Sequence, residues 1–251
     1  NTTGLQAIDY RFTDIIADPI GESDKLHSEK LIRLDNGFQC YKGNKNISIN
    51  TQLPSQRQGH ITFGSFNNLA KVTPEVIKIW SMILKALPTS RLLLKARQLA
   101  YSKDRYLDLF RQEGVAEGRI QLHGHLASLS DHLTLYNSTD ICLDPFPFNG
   151  ATTTCEALWM GVPVVTLAGD RHAGRVGASL LTNIGLTRFI SQDIGSYIET
   201  AIKMAGDTDY LQSVRQGLRE RMQRSPLCDG RSFANEVESA YQKMWAQYIK
   251  S

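Results

Sequence analysis

Asn149-Gly150-Ala151-Thr152-Thr153-Thr154 stands between an apolar run, Ile141-Cys142-Leu143, and an apolar helical pattern. An Asn-Gly pair allows a tight turn. Three threonines in a row are poor helix interior, because branching at Cβ restricts their rotamers. They suit a helix start, where the first backbone N–H groups lack intrahelical acceptors. Those donors and the positive end of the helix dipole make an anion site suited to phosphate. Glu156 falls in the first turn, where its carboxylate can accept two ribose hydroxyls while the amides hold phosphates. The competing chemistry is ordinary capping, with a threonine as N-cap and an acid in the first turn. The proline-bracketed Asp144-Pro145-Phe146-Pro147 and the place of the loop after a strand favour the anion site.

Other strand-end loops carry chemistry too. Lys71 closes Asn67-Asn68-Leu69-Ala70-Lys71 and precedes a helix start, where a cation opposes the dipole. It makes sense there with a diphosphate between, or as a solvated surface lysine. His123, His125 and His132 cluster in sequence, but no carboxylate accompanies them at ligand spacing, so base contact or packing is favoured over a metal. A ring from His132 can stack on a nucleobase, with backbone groups of 125–128 reading its edge. Gly169-Asp170-Arg171-His172-Ala173-Gly174-Arg175 either invites an anion or faces water. Asp207-Thr208-Asp209 has a metal-binding form, yet it lies between two helical patterns, where Thr208 or Asp209 is a natural N-cap.

These loops need a frame. From residue 61, apolar runs alternate with helical-period stretches, with strands read at 61–66, 91–94, 120–123, 141–143, 164–167 and 189–190. Helices are read from Thr73-Pro74-Glu75, near 103–113, over 130–136, from about 153 and over 175–183. Such alternation predicts an α/β domain, a doubly wound parallel sheet, whose ligands sit at the carboxyl ends of the strands. Helical patterns alone follow residue 193. The last carries Phe233, Val237, Tyr241, Met244, Trp245 and Tyr248 on one face and should pack on something. Residues 1–42 read as a separate piece, with a strand over 9–14 and a short helix over 28–32. Residues 43–60, polar and rich in Asn, Ser and Gln, read as a linker.

The chain has 251 residues, 41% of them hydrophobic and 21% charged, the composition of a soluble globular protein. A net charge of +3 without a Lys/Arg run gives no ground for nucleic acid or an anionic membrane. No apolar run is long enough to span a bilayer, and no signal peptide is visible. The four cysteines form no C-x-x-C and read as buried free thiols of a reducing, cytoplasmic compartment. The start at Asn1, with an element beginning almost at once, reads as a piece of something longer.

The stretches "SFNNLAKVTPEVIKIWSMIL", "RIQLHGHLASLSDHLTLYNSTDICLDPFPFNGATTTCEALWMGVPVVTLAGDRHAGRVGASLL" and "SPLCDGRSFANEVESAYQKMW" resemble the C-terminal catalytic half of the O-linked N-acetylglucosamine transferase / SPINDLY family, its bacterial, tetratricopeptide-repeat-associated branch above all. The resemblance covers about residues 61–249, more weakly 1–42. It implies a GT-B-type fold of two facing Rossmann-like lobes. Residues 61–228 would form the nucleotide-sugar-binding lobe, 229–251 a helix crossing toward the other lobe, and 1–42 the remnant of that N-terminal lobe. Implied too are inverting transfer of N-acetylglucosamine to protein Ser or Thr, or of fucose from GDP-fucose in SPINDLY-like members, and no metal or other cofactor. Partners would be the nucleotide sugar, the acceptor protein, an N-terminal lobe and upstream repeats. Lys71 is similar to the family lysine that neutralises the leaving diphosphate, and Asn68 stands where animal enzymes have a phosphate-side glutamine. Thr152 and Thr153 match the phosphate-binding threonines, Glu156 the ribose-binding aspartate and His132 the base-stacking histidine. Gly150, Ala151, Thr154 and His125 complete the expected donor site. Ala151 departs from a histidine of the animal enzymes, and Ser128 or Leu129 from a lysine beside the base. The family's proposed catalytic histidine lies upstream of residue 1, so the chain alone is expected to be inactive. A non-catalytic nucleotide-binding module and a sugar-nucleotide epimerase of similar fold are the alternatives.

Overall fold

The computed structural model describes residues 2–250. Six strands, β3 (Thr62–Ser65), β4 (Arg91–Lys95), β5 (Ile120–His123), β6 (Ile141–Leu143), β7 (Val164–Leu167) and β8 (Ile190–Ser191), form one sheet in the order β5-β4-β3-β6-β7-β8. Every pairing is parallel. Strand order reverses between β3 and β6, which opens a crevice at their carboxyl ends.

All positions of β3, β6 and β7 are buried, as a parallel sheet covered on both faces requires. Seven longer helices surround it: α2 (Pro74–Ala86), α3 (Leu99–Gln112), α4 (Leu129–Leu135), α5 (Thr152–Trp159), α6 (Val176–Asn183), α7 (Ile194–Gly206) and α8 (Thr208–Gln223). α2 starts as its sequence predicts: Thr73 accepts from the Val76 N–H and Pro74 occupies the first helical position. Its apolar stripe buries Trp80, Ile83 and Leu84, and Trp80 Nε1 donates to Tyr197 of α7 at 3.1 Å. α8 is capped by Asp207, which accepts from the Tyr210 N–H; Thr208 and Asp209, the predicted caps, lie inside the helix.

The N-terminal piece is a parallel ribbon of β1 (Tyr10–Thr13) and β2 (Lys30–Arg33). β2 replaces the short helix expected over 28–32. Lys30 to Arg33 pair in register with Tyr10 to Thr13 and bury Leu31; partner strand and burial override weak local propensity. Residues 43–60 include a short helix, α1 (Pro54–Gln58), and are stitched along the lobe. Trp159 Nε1 donates to the Asn44 carbonyl at 3.0 Å, and Arg215 and Arg219 of α8 donate to the Asn50 and Ile47 carbonyls. The final helix, α9 (Gly230–Tyr248), meets the ribbon through Tyr241, edge-on to Phe12 at 5.4 Å. Trp245 and Tyr248 of its expected packing face remain exposed.

Candidate active site

The two loops at the switch point meet. The N-cap of α5 is Ala151, and no side chain caps that helix; its first intrahelical bond runs from the Cys155 N–H to the Ala151 carbonyl. Capping by threonine is therefore not what the three residues do. Thr152 is exposed, Thr153 half-buried and Thr154 buried. Thr153 Oγ1 donates to Asn67 Oδ1 at 3.0 Å, which ties α5 to the loop after β3. Gly150 packs beneath them: a Cβ there would lie 2.6 Å from Thr154 Oγ1, 2.7 Å from Thr153 Oγ1 and 3.0 Å from Asn67 Oδ1. Asn149, buried, donates from Nδ2 to the Pro145 carbonyl and accepts from the Gly177 N–H. The loop is built from its own strand, from β3 and from α6.

Lys71 ends a 3-10 turn over Leu69–Lys71. Its Nζ donates to the Asn149 carbonyl at 2.7 Å and lies 4.2 Å from the centre of the Phe148 ring. Burial lowers its pKa, against the nearby Asp144 carboxyl. An ammonium thus stands beside the open end of α5, and both present positive potential to the crevice. Asn68 is exposed; its Oδ1 accepts from the Ala70 N–H and from Gln98 Nε2.

One turn along α5, Glu156 Oε2 lies 2.9 Å from His132 Nε2 of α4. An ionised carboxylate only accepts, so Nε2 carries the proton. The other ring nitrogen, Nδ1, is buried without a partner. The Tyr136 hydroxyl donates to the Thr153 carbonyl at 3.2 Å and toward Glu156 at 3.4 Å. Its ring stacks on Phe66 at 3.7 Å, and burial raises its pKa far above the ordinary value. Lys95, at the end of β4, also faces this carboxylate: burial lowers its pKa and Glu156 opposes that. His132 and Glu156 thus come together as one polar group at the strand ends. His125 lies exposed on the loop between β5 and α4. Phe66, Asn67, Lys95, Tyr136 and Asp144 were not among the expected site residues. Phe66, Asn67, Lys95 and Asp144 follow or end a strand at the carboxyl edge, and that position was the available signal.

The basic loop after β7 turns two of its side chains toward the N-terminal ribbon. His172 is buried, with Nδ1 2.7 Å from Asp18 Oδ2. Arg175 Nε donates to the Ile16 carbonyl at 2.7 Å. Both dock the N-terminal ribbon; Arg171 is exposed. Among the described residues, no group of three or more His, Cys, Asp or Glu is placed to hold a metal, and no helix is long and apolar enough to cross a membrane.

Sheet order, crevice and open helix define the C-terminal lobe of a GT-B-type glycosyltransferase. The chain belongs to glycosyl transferase family 41, which its residues 47–237 match. It is 45% identical over 250 residues to the probable UDP-N-acetylglucosamine--peptide N-acetylglucosaminyltransferase SPINDLY of Solanum lycopersicum, covering 99% of this chain and 27% of that protein. The relative SEC of Arabidopsis thaliana, given the same probable activity, is 31% identical, with 97% and 26% covered. The solved O-GlcNAc transferase of Thermobaculum terrenum superposes with a TM-score of 0.86 at 36% identity, covering 98% of this chain and 46% of that one. The chain spans about a quarter of the length of the curated relatives it matches.

Proposed function

We propose that this chain is the donor-binding lobe of an inverting glycosyltransferase that moves a sugar, N-acetylglucosamine, from a nucleotide sugar to protein Ser or Thr. One observation carries the reading: Lys71 Nζ stands on the Asn149 carbonyl beside the uncapped N-terminus of α5. The diphosphate sits at that helix mouth, the ribose on Glu156 and the base toward His132. As the glycosidic bond breaks, negative charge grows on the β-phosphate. Lys71 and the amides of Thr152 to Thr154 are fixed to meet it, which is electrostatic stabilisation of the transition state. No metal or other cofactor enters this scheme. The names of the relatives support a UDP-sugar and a peptide acceptor. A second reading, fucose from GDP-fucose, is left open by Ala151 and by Ser128 or Leu129, where the chain departs from the animal enzymes beside the diphosphate and the base.

The test is calorimetric titration with UDP, GDP, UDP-N-acetylglucosamine and GDP-fucose. The tightest ligand assigns the donor. Lys71→Ala should weaken it about tenfold to a hundredfold, the loss of one charge-assisted hydrogen bond. Thr152→Ala should weaken it less. Unchanged binding in both variants would remove the site.

A further inference from the structure

We infer that Asp144 is a positioning residue of the donor site, and that it takes up a proton when the diphosphate docks. The inference rests on the donor-site reading above. Asp144 is 1% exposed at the end of β6, directly beneath the loop that leads into α5. Its Oδ1 accepts the Gly150 N–H at 2.6 Å, and Gly150 adjoins the N-cap of α5. Its Oδ2 accepts the Thr166 hydroxyl of β7 at 2.7 Å. On α6, a Cβ at Gly177 would come within 2.6 Å of Oδ2, so that helix is pressed against the carboxyl. From α7, Tyr197 donates to the Asp144 carbonyl at 3.0 Å.

A negative charge under an anion site works against the anion. The Lys71 ammonium bears on this carboxyl, and burial still pushes the carboxyl's pKa up to about 7 against Lys71 and the two hydrogen bonds. Its titratable neighbours are Cys142, on β6, and Tyr197; burial pushes both upward, so both are neutral. An arriving diphosphate adds negative charge and engages the Lys71 ammonium. Both changes favour the protonated carboxyl. The proton fits without loss of a bond. A hydroxyl both donates and accepts, so Thr166 can receive a hydrogen bond from a protonated Oδ2, while Oδ1 keeps the Gly150 N–H.

The sign follows from linkage. The group binds its proton more tightly in the complex, so affinity is full below the pKa of the free protein and falls as pH rises past it. The probes are UDP-N-acetylglucosamine and GDP-fucose, whose diphosphate diesters do not titrate in this range. Wild-type affinity should fall on the order of tenfold between about pH 6.5 and about pH 8.5. Asp144→Asn holds the same two bonds without a titrating proton and should bind with no such fall. Titration of Lys71 instead, or a merely structural Asp144, would leave the fall intact in the variant and overturn the proposal. Wild-type calorimetry in buffers of different ionisation enthalpy is the second measurement, and it needs no variant. Proton uptake on binding is expected, and binding without uptake overturns the proposal. A wild-type protein that binds neither nucleotide sugar at any pH overturns the donor-site reading itself, and the proposal with it.

Discussion

Gly150 sets the tolerance of the site. Three side-chain oxygens lie within 3.0 Å of where its Cβ would be, and two of them belong to Thr153 and Thr154 at the start of α5. Gly150→Ala must displace the start of α5 or the loop. The expected cost is about 1–3 kcal/mol of stability, the usual range for overpacking, with loss of nucleotide affinity; thermal melting and titration on one sample check both. Lys71 shows the opposite balance. Its ammonium is half-buried against a carbonyl and a ring, and burial disfavours its charged form. Lys71→Met keeps the stem and removes that charge. The melting temperature should hold or rise while nucleotide affinity drops at least tenfold, the pattern of a residue kept for binding rather than folding. A large fall in melting temperature would mark Lys71 as structural.

At the scale of elements, the sheet was legible because its central strands are buried on both faces and are therefore largely apolar, as Val164-Val165-Thr166-Leu167 shows. Thr73-Pro74-Glu75 was legible because a cap is local. The helix start at 151–154 was legible from its own residues, although no side chain caps it, whereas the contacts that tie it down were not: Asn67 meets Thr153 across 86 residues and Lys71 meets the Asn149 carbonyl across 78. β2 was misread because four residues carry little periodicity and the partner strand decides. The 43–60 segment was misread because its polar side chains announce a loop, while what binds it is its backbone. Arg215 shows how firmly. Wholly buried, it donates from Nε to the Asn50 carbonyl and from Nη1 to the Thr139 carbonyl. Burial lowers its pKa to about 10, with the Asp140 carboxylate opposing. Asp140 in turn accepts the Ser55 and Thr62 N–H groups. Arg215→Ala leaves the Asn50 and Thr139 carbonyls without their donor, removes a favourable charge near Asp140 and frees the segment. It should cost about 2–5 kcal/mol, the range for a buried large-to-small change that also orphans polar groups. Denaturant melting and proteolysis within 43–53 read the two effects separately.

At the scale of the molecule, the question is how the N-terminal ribbon holds to the lobe. The seam is polar and buried. Ser179 donates to Asp14, Arg175 reaches the Ile16 carbonyl, and Asp18 takes both Thr13 and His172. Burial alone would raise the Asp18 carboxyl; the hydrogen bonds from His172 and Thr13 outweigh it, and its pKa falls to about 2 from an ordinary 3.8. A depressed carboxyl stabilises the fold above its unfolded value, and that contribution is lost as pH falls through the folded one. The window therefore runs from about pH 4 down to about pH 2, and the amount at stake is on the order of 2 kcal/mol. Wild type should lose that much more stability across the window than Asp18→Asn, which has no proton to gain. Denaturant melts at the two ends of the window measure the difference. Parallel losses in the two proteins would show that the seam is not held by this ionised carboxylate. A larger acid loss in wild type, with hydrogen exchange rising first at residues 10–33, would place the weakest joint of the molecule between ribbon and lobe, at the loop whose Ala173 carbonyl accepts the Asn149 N–H ahead of α5.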